Sequence, residues 1–334
     1  MSRVDVLVID QAEVERLLPM ADCIDVMDGA LRALSEGKAI LPLRPVIWTP
    51  EKTGALAAMP AFLGEPRCFG IKVITVFPKN VRYDAHQGAV LLFEAEEGRL
   101  LAILDATEIT AIRTAAVSGL ATRLLARDDA RTLAILGAGT QARTHLAAVL
   151  AVRTISEVRV FSRTAERARA FAERESKKHG VRATASASAE EAVRGADVVC
   201  TTTSSKTPVL LGEWLAPGAH VNAAGASVAA ARELDGAAVA RSRLFVDRRE
   251  SALAEAGDFL MARAEGLIGD DHIAGELGEV ALGRVRGRTS PSEITLFKSV
   301  GIAVEDVAAA HEIHRRAAAE VGGQRVVLGG TRHD

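Results

Sequence analysis

The sequence predicts an α/β protein in which a doubly wound parallel sheet is joined to a second domain of mixed α+β character. Three observations carry that reading. Residues Thr132 to Leu146, TLAILGAGTQARTHL, place a short apolar run directly before Gly137, Gly139 and Ala142 and a helix-like segment. From there to residue 247 strand-like runs alternate with helical ones, the grammar of parallel βαβ units. Before it, strand-like runs follow one another without long helices between them, the grammar of an antiparallel meander.

Composition sets the outer limits. The 334 residues suffice for two domains, and 49% hydrophobic with 25% charged residues is ordinary for a globular protein with a sizeable core. A formal net charge of −2 offers no field for a polyanion, so nucleic acid is not an expected partner. Cys23, Cys68 and Cys200 are an odd, scattered set, which suggests a reducing compartment rather than a disulfide framework. The start, MSRVDVLVID, is too acidic and too short in its apolar run for a signal peptide. No apolar stretch reaches the roughly 18 residues of a membrane span. A cytoplasmic location without a membrane partner is the expectation.

In chain order, Val4 to Ile9 reads as an edge strand, with Asp10 able to cap the helix after it. Met20 to Gly37 carries Ile24, Met27, Ala30, Leu31 and Leu34 at helical spacing. Strand-like runs follow at Leu41 to Trp48, Gly54 to Met59, Phe69 to Phe77, Gly88 to Glu94 and Leu100 to Leu104, with a turn at Glu97-Gly98. Asp105 to Leu125 is a long proline-free helix, capped by Asp105 or Thr107, that connects to the second domain. There, strands are expected at 132–136, 157–161, 181–185, 196–201, 219–223 and 243–247, and helices at 140–151, 164–179, 188–194 and near 233–240. Glu250 to Gly266 and Gly275 to Gly283 read as helices outside that sheet, and Ile294 to Lys298 as another strand. Val304 to Val321 is a final helix able to pack back on the first domain. The expected division is 1–118, with 305–334 returning to it, and 119–304.

Gly-x-Gly-x-x-Ala between a strand and a helix is how a Rossmann-type fold holds a dinucleotide pyrophosphate. Gly137 permits the turn, Gly139 lets the backbone approach the phosphates, and Ala142 lets the helix pack close. The helix-start amides and the helix dipole then face the anion. The end of the next strand distinguishes the two nicotinamide cofactors, because an acidic residue there holds the ribose hydroxyls of NAD(H). Here Ser162, Arg163 and Thr164 offer hydroxyls and a guanidinium instead, which suit the 2′-phosphate of NADP(H). The small polar loops Thr201-Thr202-Thr203-Ser204 and Asn222 to Ser227, with Ala224 and Gly225, suit a nicotinamide and its ribose lying against backbone.

Isolated cations mark the first domain. Lys72 interrupts FGIKVITVF, Arg113 interrupts EITAIRTAAVSG, and Arg44 sits in LPLRPV. Converging on one cleft, they would hold a carboxylate substrate and supply a lysine able to shift its pKa. His86 is a further histidine to test near such a pocket. His311 and His314 are three apart where a zinc-protease helix needs four, so no metal is expected. No Gly-x-Ser-x-Gly or Cys/His arrangement supports nucleophilic catalysis.

LPLRP, FGIKVITVFPKN, EITAIRTAAVSGLA, LGAGTQA, VNAAGAS…RELD, EAGD, GELGEV and ITLFKSVGIAVEDVA together resemble the ornithine cyclodeaminase/mu-crystallin family nearly end to end. The resemblance implies a homodimer whose first domain supplies the subunit contact and the substrate pocket. It implies that Arg44, Lys72 and Arg113 are carboxylate- and proton-handling residues. Thr140, Gln141 and Ser162 to Thr164 fall on the adenosine-phosphate side of the cofactor site, and Ser299 and Val300 near nicotinamide and substrate. Cyclodeaminases of the family carry an aspartate two residues beyond the VNAAGA glycine, where this chain has Ser227. That serine is similar to the mu-crystallin branch, which reduces ketimines with NADPH, and Glu255 resembles a glutamate lining that branch's pocket. The implied activity is reduction of a small 2-imino acid to an L-amino acid. An ornithine cyclodeaminase-type lyase with bound NAD, an open-chain alanine or N-alkyl amino acid dehydrogenase and a non-catalytic NADPH- and ligand-binding protein remain alternatives.

Overall fold

The structure is a computed structural model that describes residues 5–320 and 322–328. The elements begin with β1 (Asp5–Ile9), α1 (Gln11–Leu17), α2 (Met20–Ser35), β2 (Ala39–Ile40), β3 (Val46–Trp48), β4 (Ala55–Gly64), β5 (Arg67–Val76), β6 (His86–Glu94), β7 (Leu100–Asp105) and α3 (Ala106–Leu125). They continue with β8 (Thr132–Leu136), α4 (Thr140–Val152), β9 (Glu157–Phe161), α5 (Ala165–His179), β10 (Arg182–Ala185), α6 (Ala189–Val193), β11 (Val198–Thr201), β12 (His220–Ala223) and α7 (Gly236–Ala240). Then come β13 (Arg243–Val246), α8 (Arg249–Glu255), α9 (Gly257–Ala264), β14 (Ile273–Glu276), α10 (Leu277–Ala281), β15 (Thr295–Lys298), α11 (Ala303–Glu320) and β16 (Gln324–Val327). Two compact units result: unit 1 is Met1–Arg113 with Ile302–Asp334, and unit 2 is Thr114–Gly301.

In unit 1 the sheet runs β16-β1-β7-β6-β5-β4-β2, with β3 also on β4. From β4 to β7 it is an antiparallel meander, as the turn-punctuated sequence predicts. The alternation of β4 and β5 turns Ala57, Met59, Ala61, Cys68 and Ile74 inward, onto the face that α11 covers. At Gly70 the approach of α11 is so close that a Cβ would lie 2.7 Å from Val307 Cγ2. Asp10 caps α1 by accepting from the Glu13 amide, and Asp105 accepts from the Glu108 amide at the start of α3.

The sheet of unit 2 is parallel throughout, in the order β10-β9-β8-β11-β12-β15-β13-β14. Helices on both faces explain why β11, β12 and β15 are buried along their whole length. In β8 the two-residue period sends Leu133 and Ile135 to one core, with Leu146 and Phe171, and Ala134 and Leu136 to the other, with Val221 and Phe259. Arg153 and Arg288 donate to carbonyls at the end of α3, satisfying groups the helix leaves open.

Three expectations are corrected. The first strand is not an edge, because β1 lies between β7 and the returning β16. Residues 275–276, expected to open a helix, instead end edge strand β14 (Ile273–Glu276), whose internal glycine hides its strand character. Glu250 to Gly266 is two helices, broken where a Cβ on Gly257 would lie 2.0 Å from the Ala231 carbonyl oxygen. Val321, the expected end of the last helix, lies outside the described residues.

Candidate functional site

The glycine corner sits at the carboxyl end of β8. Gly137 has φ +123, and a Cβ there would lie 2.6 Å from Thr202 Oγ1 and 2.8 Å from Thr202 O. No other residue fits without moving backbone. Gly139 differs, since nothing lies within 4 Å of where its Cβ would be. It is the N-cap of α4, which has no side-chain cap and no acidic residue in its first turn. Ala142 is fully buried against Leu133 and Ile135. Gln141 Oε1, just inside the helix, is buried and has no hydrogen-bond partner among the described residues. An open glycine, an uncapped helix start and an orphaned acceptor fit a phosphate-bearing group that also carries hydroxyls.

Past β9, Ser162 is half-buried and accepts from the Thr164 amide at 3.4 Å, while Arg163 and Thr164 are exposed. No carboxylate stands between Phe161 and Ala165. The hydroxyls of the threonine run turn inward. Thr201 Oγ1 donates to Glu233 Oε2 at 2.8 Å, Thr202 Oγ1 to Leu136 O at 3.1 Å and Thr203 Oγ1 to Glu233 Oε1 at 2.6 Å. The Ala224 amide bonds Thr201 O, and the Gly225 amide bonds Glu233 Oε2 at 2.8 Å. After β15, Asp247 Oδ2 accepts from the Val300 and Gly301 amides, each at 2.8 Å, and from Ser299 Oγ at 3.3 Å. Burial pushes the Asp247 carboxyl up, against those amides, which lower it. Ser227 and Glu255 are half-buried residues of this same unit.

In unit 1, Lys72 occupies a core-facing position of β5 and is 2% exposed. Its Nζ donates to Asp306 Oδ1 at 2.9 Å and to Thr110 Oγ1 at 3.2 Å. Arg113, also buried, donates from Nε to the same Asp306 oxygen at 2.9 Å and from Nη1 to Glu305 Oε2 at 2.6 Å. Burial lowers the Lys72 pKa to about 8; Asp306 opposes the shift, and the Arg113 and Arg44 charges add to it. Arg44 is half-buried between β2 and β3. The surrounding protein and the Lys72 charge hold the pKa of His86 below its ordinary value. The structure therefore brings Lys72 and Arg113 onto one carboxylate, with Arg44 and His86 within electrostatic reach. An amine with a pKa near neutrality, set among guanidinium groups, is equipped to bind an organic acid and exchange a proton with it.

Several residues escaped the sequence reading. Asp306 and Glu305 belong to a quoted motif, VEDVA, yet nothing in spacing ties them to Lys72, 234 positions away in the case of Asp306. Glu233, Asp258 and Lys298 lie likewise in RELD, EAGD and LFKS. Lys298 carries the signal applied to Lys72, a charged residue ending an apolar strand, whereas Glu233 stands among the charges of RELD and shows none. Among the described residues no group of three or more His, Cys, Asp or Glu side chains is arranged to hold a metal.

Known proteins resemble the chain along most of its length. The chain is 38% identical over 323 residues to a Δ1-pyrroline-2-carboxylate reductase of Bacillus cereus, covering 96% of this chain and 99% of that protein. It is 40% identical over 296 residues to the ketimine reductase mu-crystallin of Mus musculus, covering 87% and 90%. The Thermococcus litoralis Δ1-pyrroline-2-carboxylate reductase, solved with NADH and L-proline, superimposes with a TM-score of 0.94 at 37% identity, over 96% of this chain and all of that one. With the family model matching residues 4–320, the chain belongs to the ornithine cyclodeaminase/mu-crystallin family.

Proposed function

We propose that the protein reduces small 2-imino acids to L-amino acids with a nicotinamide dinucleotide, taking NADPH in preference to NADH. The substrates are five- and six-membered cyclic ketimines, Δ1-pyrroline-2-carboxylate and Δ1-piperideine-2-carboxylate. The observation that carries the reading is the buried Lys72, with a pKa of about 8, sharing Asp306 with Arg113. Relatives named as reductases of such imines support it, as does Ser227 at the position where cyclodeaminases carry aspartate.

Gly137, Gly139, Thr140, Gln141 and Ala142 would hold the pyrophosphate side of the cofactor, Ser162 to Thr164 the 2′-phosphate, and the 201–203, 224–225 and 299–300 loops the nicotinamide end. When bound, the reduced nicotinamide supplies a hydride to the C=N carbon. The chain's own residues do the rest. Arg44 and Arg113 bind the substrate carboxylate and orient the imine. Protonated Lys72 gives its proton to the imine nitrogen, which makes the adjacent carbon electrophilic, and recovers it from solvent after product leaves. Glu255 balances the iminium charge, and Ser227 hydrogen-bonds the substrate.

The active form is a homodimer. The outer face of the unit 1 sheet is apolar, with Ile71, Leu91 and Ile103 in register across β5, β6 and β7 and Phe69 48% exposed on the same face. A second copy of the chain covers it; Ile71→Asp should convert the dimer to monomer in sedimentation, and an unaltered chain that sediments as a monomer would refute this.

The experiment for the reaction is NADPH and NADH oxidation against the two cyclic imino acids, against keto acids with ammonia or methylamine, and against ornithine with ammonia release as readout. Turnover of a cyclic imine with L-proline or L-pipecolate as product supports the reading. Ammonia release from ornithine, or turnover only with keto acids, would replace it.

A further inference from the structure

A buried network in unit 2 contains two carboxylates and a lysine, Glu233, Asp258 and Lys298, to which the chemistry above gives no role. It centres on Glu233, a fully buried residue just before α7. Its carboxylate accepts four hydrogen bonds: from Thr201 Oγ1 at 2.8 Å, from the Thr203 amide and hydroxyl at 2.6 Å each, and from the Gly225 amide at 2.8 Å. Those donors lie on two loops, leaving the carboxyl ends of the adjacent strands β11 and β12. Burial raises the pKa of this carboxyl, and the threonine donors and the Lys298 charge oppose the shift.

A second layer holds the carboxylate in place. Asp258 Oδ1 accepts from the backbone amides of Glu233 and Leu234, at 2.7 and 2.9 Å. Its other oxygen lies 2.9 Å from Lys298 Nζ, both side chains being almost wholly buried. Lys298 in turn donates to the Ala223 and Ala226 carbonyls, in the loop whose Gly225 amide Glu233 holds. The circuit is closed. Gly225 leaves no slack, since a Cβ there would lie 2.3 Å from Thr203 O and 2.5 Å from Glu233 Oε1.

Burying two carboxylates and an ammonium costs more than an apolar core of the same volume would. The loops they tie are made of Thr, Ala, Gly and Ser, which lack the bulk to lock one another by packing. Directional bonds to backbone amides do that task, and with the threonine hydroxyls turned inward the loops offer backbone to a ligand. We propose that Glu233, held by Asp258 and Lys298, is a positioning residue that sets the spacing of the 201–203 and 224–226 loops and thereby the backbone surface that receives the nicotinamide end of the cofactor. The inference rests on the reading of these loops as cofactor-binding.

Glu233→Gln keeps the volume but replaces one acceptor oxygen by a donor, so the Thr203 or Gly225 amide loses its partner. The expected result is at least a tenfold rise in the Kd for NADPH, read by nicotinamide fluorescence, with the KM for the imine at saturating cofactor within twofold of the original. Transfer from stereospecifically deuterated NADPH should also lose fidelity, which a role in stability alone would not produce. Thr203→Val removes one tie and should raise the Kd about threefold, so the idea stays open to refutation if Glu233→Gln does not fold. A folded variant with a lowered melting temperature but unchanged cofactor Kd and stereospecificity would overturn the inference while leaving the proposed reaction standing. Failure of the unaltered chain to bind either dinucleotide would overturn both.

Discussion

Lys72 Nζ lies 2.9 Å from Asp306 Oδ1, with 2% and 0% of the two side chains exposed. The pairing keeps a buried lysine charged at neutral pH, while burial and the Arg113 and Arg44 charges bring its pKa down to about 8. The proton donor is the ammonium form, present below that pKa and lost above it. Turnover should therefore be level at acidic and neutral pH and fall as pH rises through about 8, approaching tenfold per unit. Lys72→Met should lower kcat by about 100-fold or more and change the Kd for NADPH by less than twofold. A pH–rate profile of the original enzyme and single-turnover kinetics of the variant check both statements.

Removing the anion rather than the cation tests the same cluster through stability. Asp306→Ala leaves Lys72 and Arg113 buried without the oxygen they share, a change that costs about 3–5 kcal/mol in comparable sites. Lys72→Met with Asp306→Leu replaces that ion pair by apolar volume and should recover more than half of the loss in urea denaturation. It should recover none of the activity. A double variant no more stable than Asp306→Ala would show that packing of α11, not charge, sets the penalty.

How much of this was legible beforehand depends on the range of the interaction. The Asp10 and Asp105 caps, the glycine corner and the strand-helix alternation are set within a few residues, and the structure contains them. Lys72 advertises the need for a partner because it interrupts an apolar strand. Which of the chain's 43 acidic residues answers that need is fixed only when α11 lands on β5, a contact that closes a loop of 234 residues. The threonine run shows the opposite failure. Its hydroxyls looked free to meet a ligand, and Glu233, some 30 positions on, takes two of them. Strand β2, of two residues, is too short to show a period, and the glycine inside β14 hides one, so pairing rather than pattern creates both.

The turn after β9 should control the choice of dinucleotide. Arg163 is exposed and Ser162 half-buried, with no carboxylate beside them. Arg163→Ala should raise the KM for NADPH about tenfold and leave that for NADH within twofold, since only the former carries a phosphate for the guanidinium to meet. Ser162→Asp should reverse the preference by repelling that phosphate and accepting from the ribose hydroxyls. Equal KM values for both cofactors in the original enzyme would remove the turn from the specificity argument.

Two histidines in unit 2 should make the protein sensitive to mild acid. His220, with its ring nitrogens 3.0 Å from Thr295 Oγ1 and 3.2 Å from Asn222 Oδ1, is fully buried. Burial, helped by the Arg288 charge, lowers its pKa to about 3. His145, between Gln141 O and Ser118 Oγ, is lowered to about 4 by burial. In the unfolded chain both take up protons near pH 6.5. The stability they lend is thus complete above that pH and lost as pH falls, approaching about 1.4 kcal/mol per pH unit for each histidine near pH 5, with the loss from His145 levelling off as pH passes its folded pKa of about 4. Glu233 and Asp247, whose carboxyls burial raises, bind protons more readily folded than unfolded and oppose part of that loss. Urea midpoints should hold level from pH 7.5 to about 6.5 and fall from there to pH 5. His220→Gln and His145→Gln should each flatten the slope whatever they do to stability at pH 7.5, and an unchanged slope in both would assign the acid sensitivity to other groups.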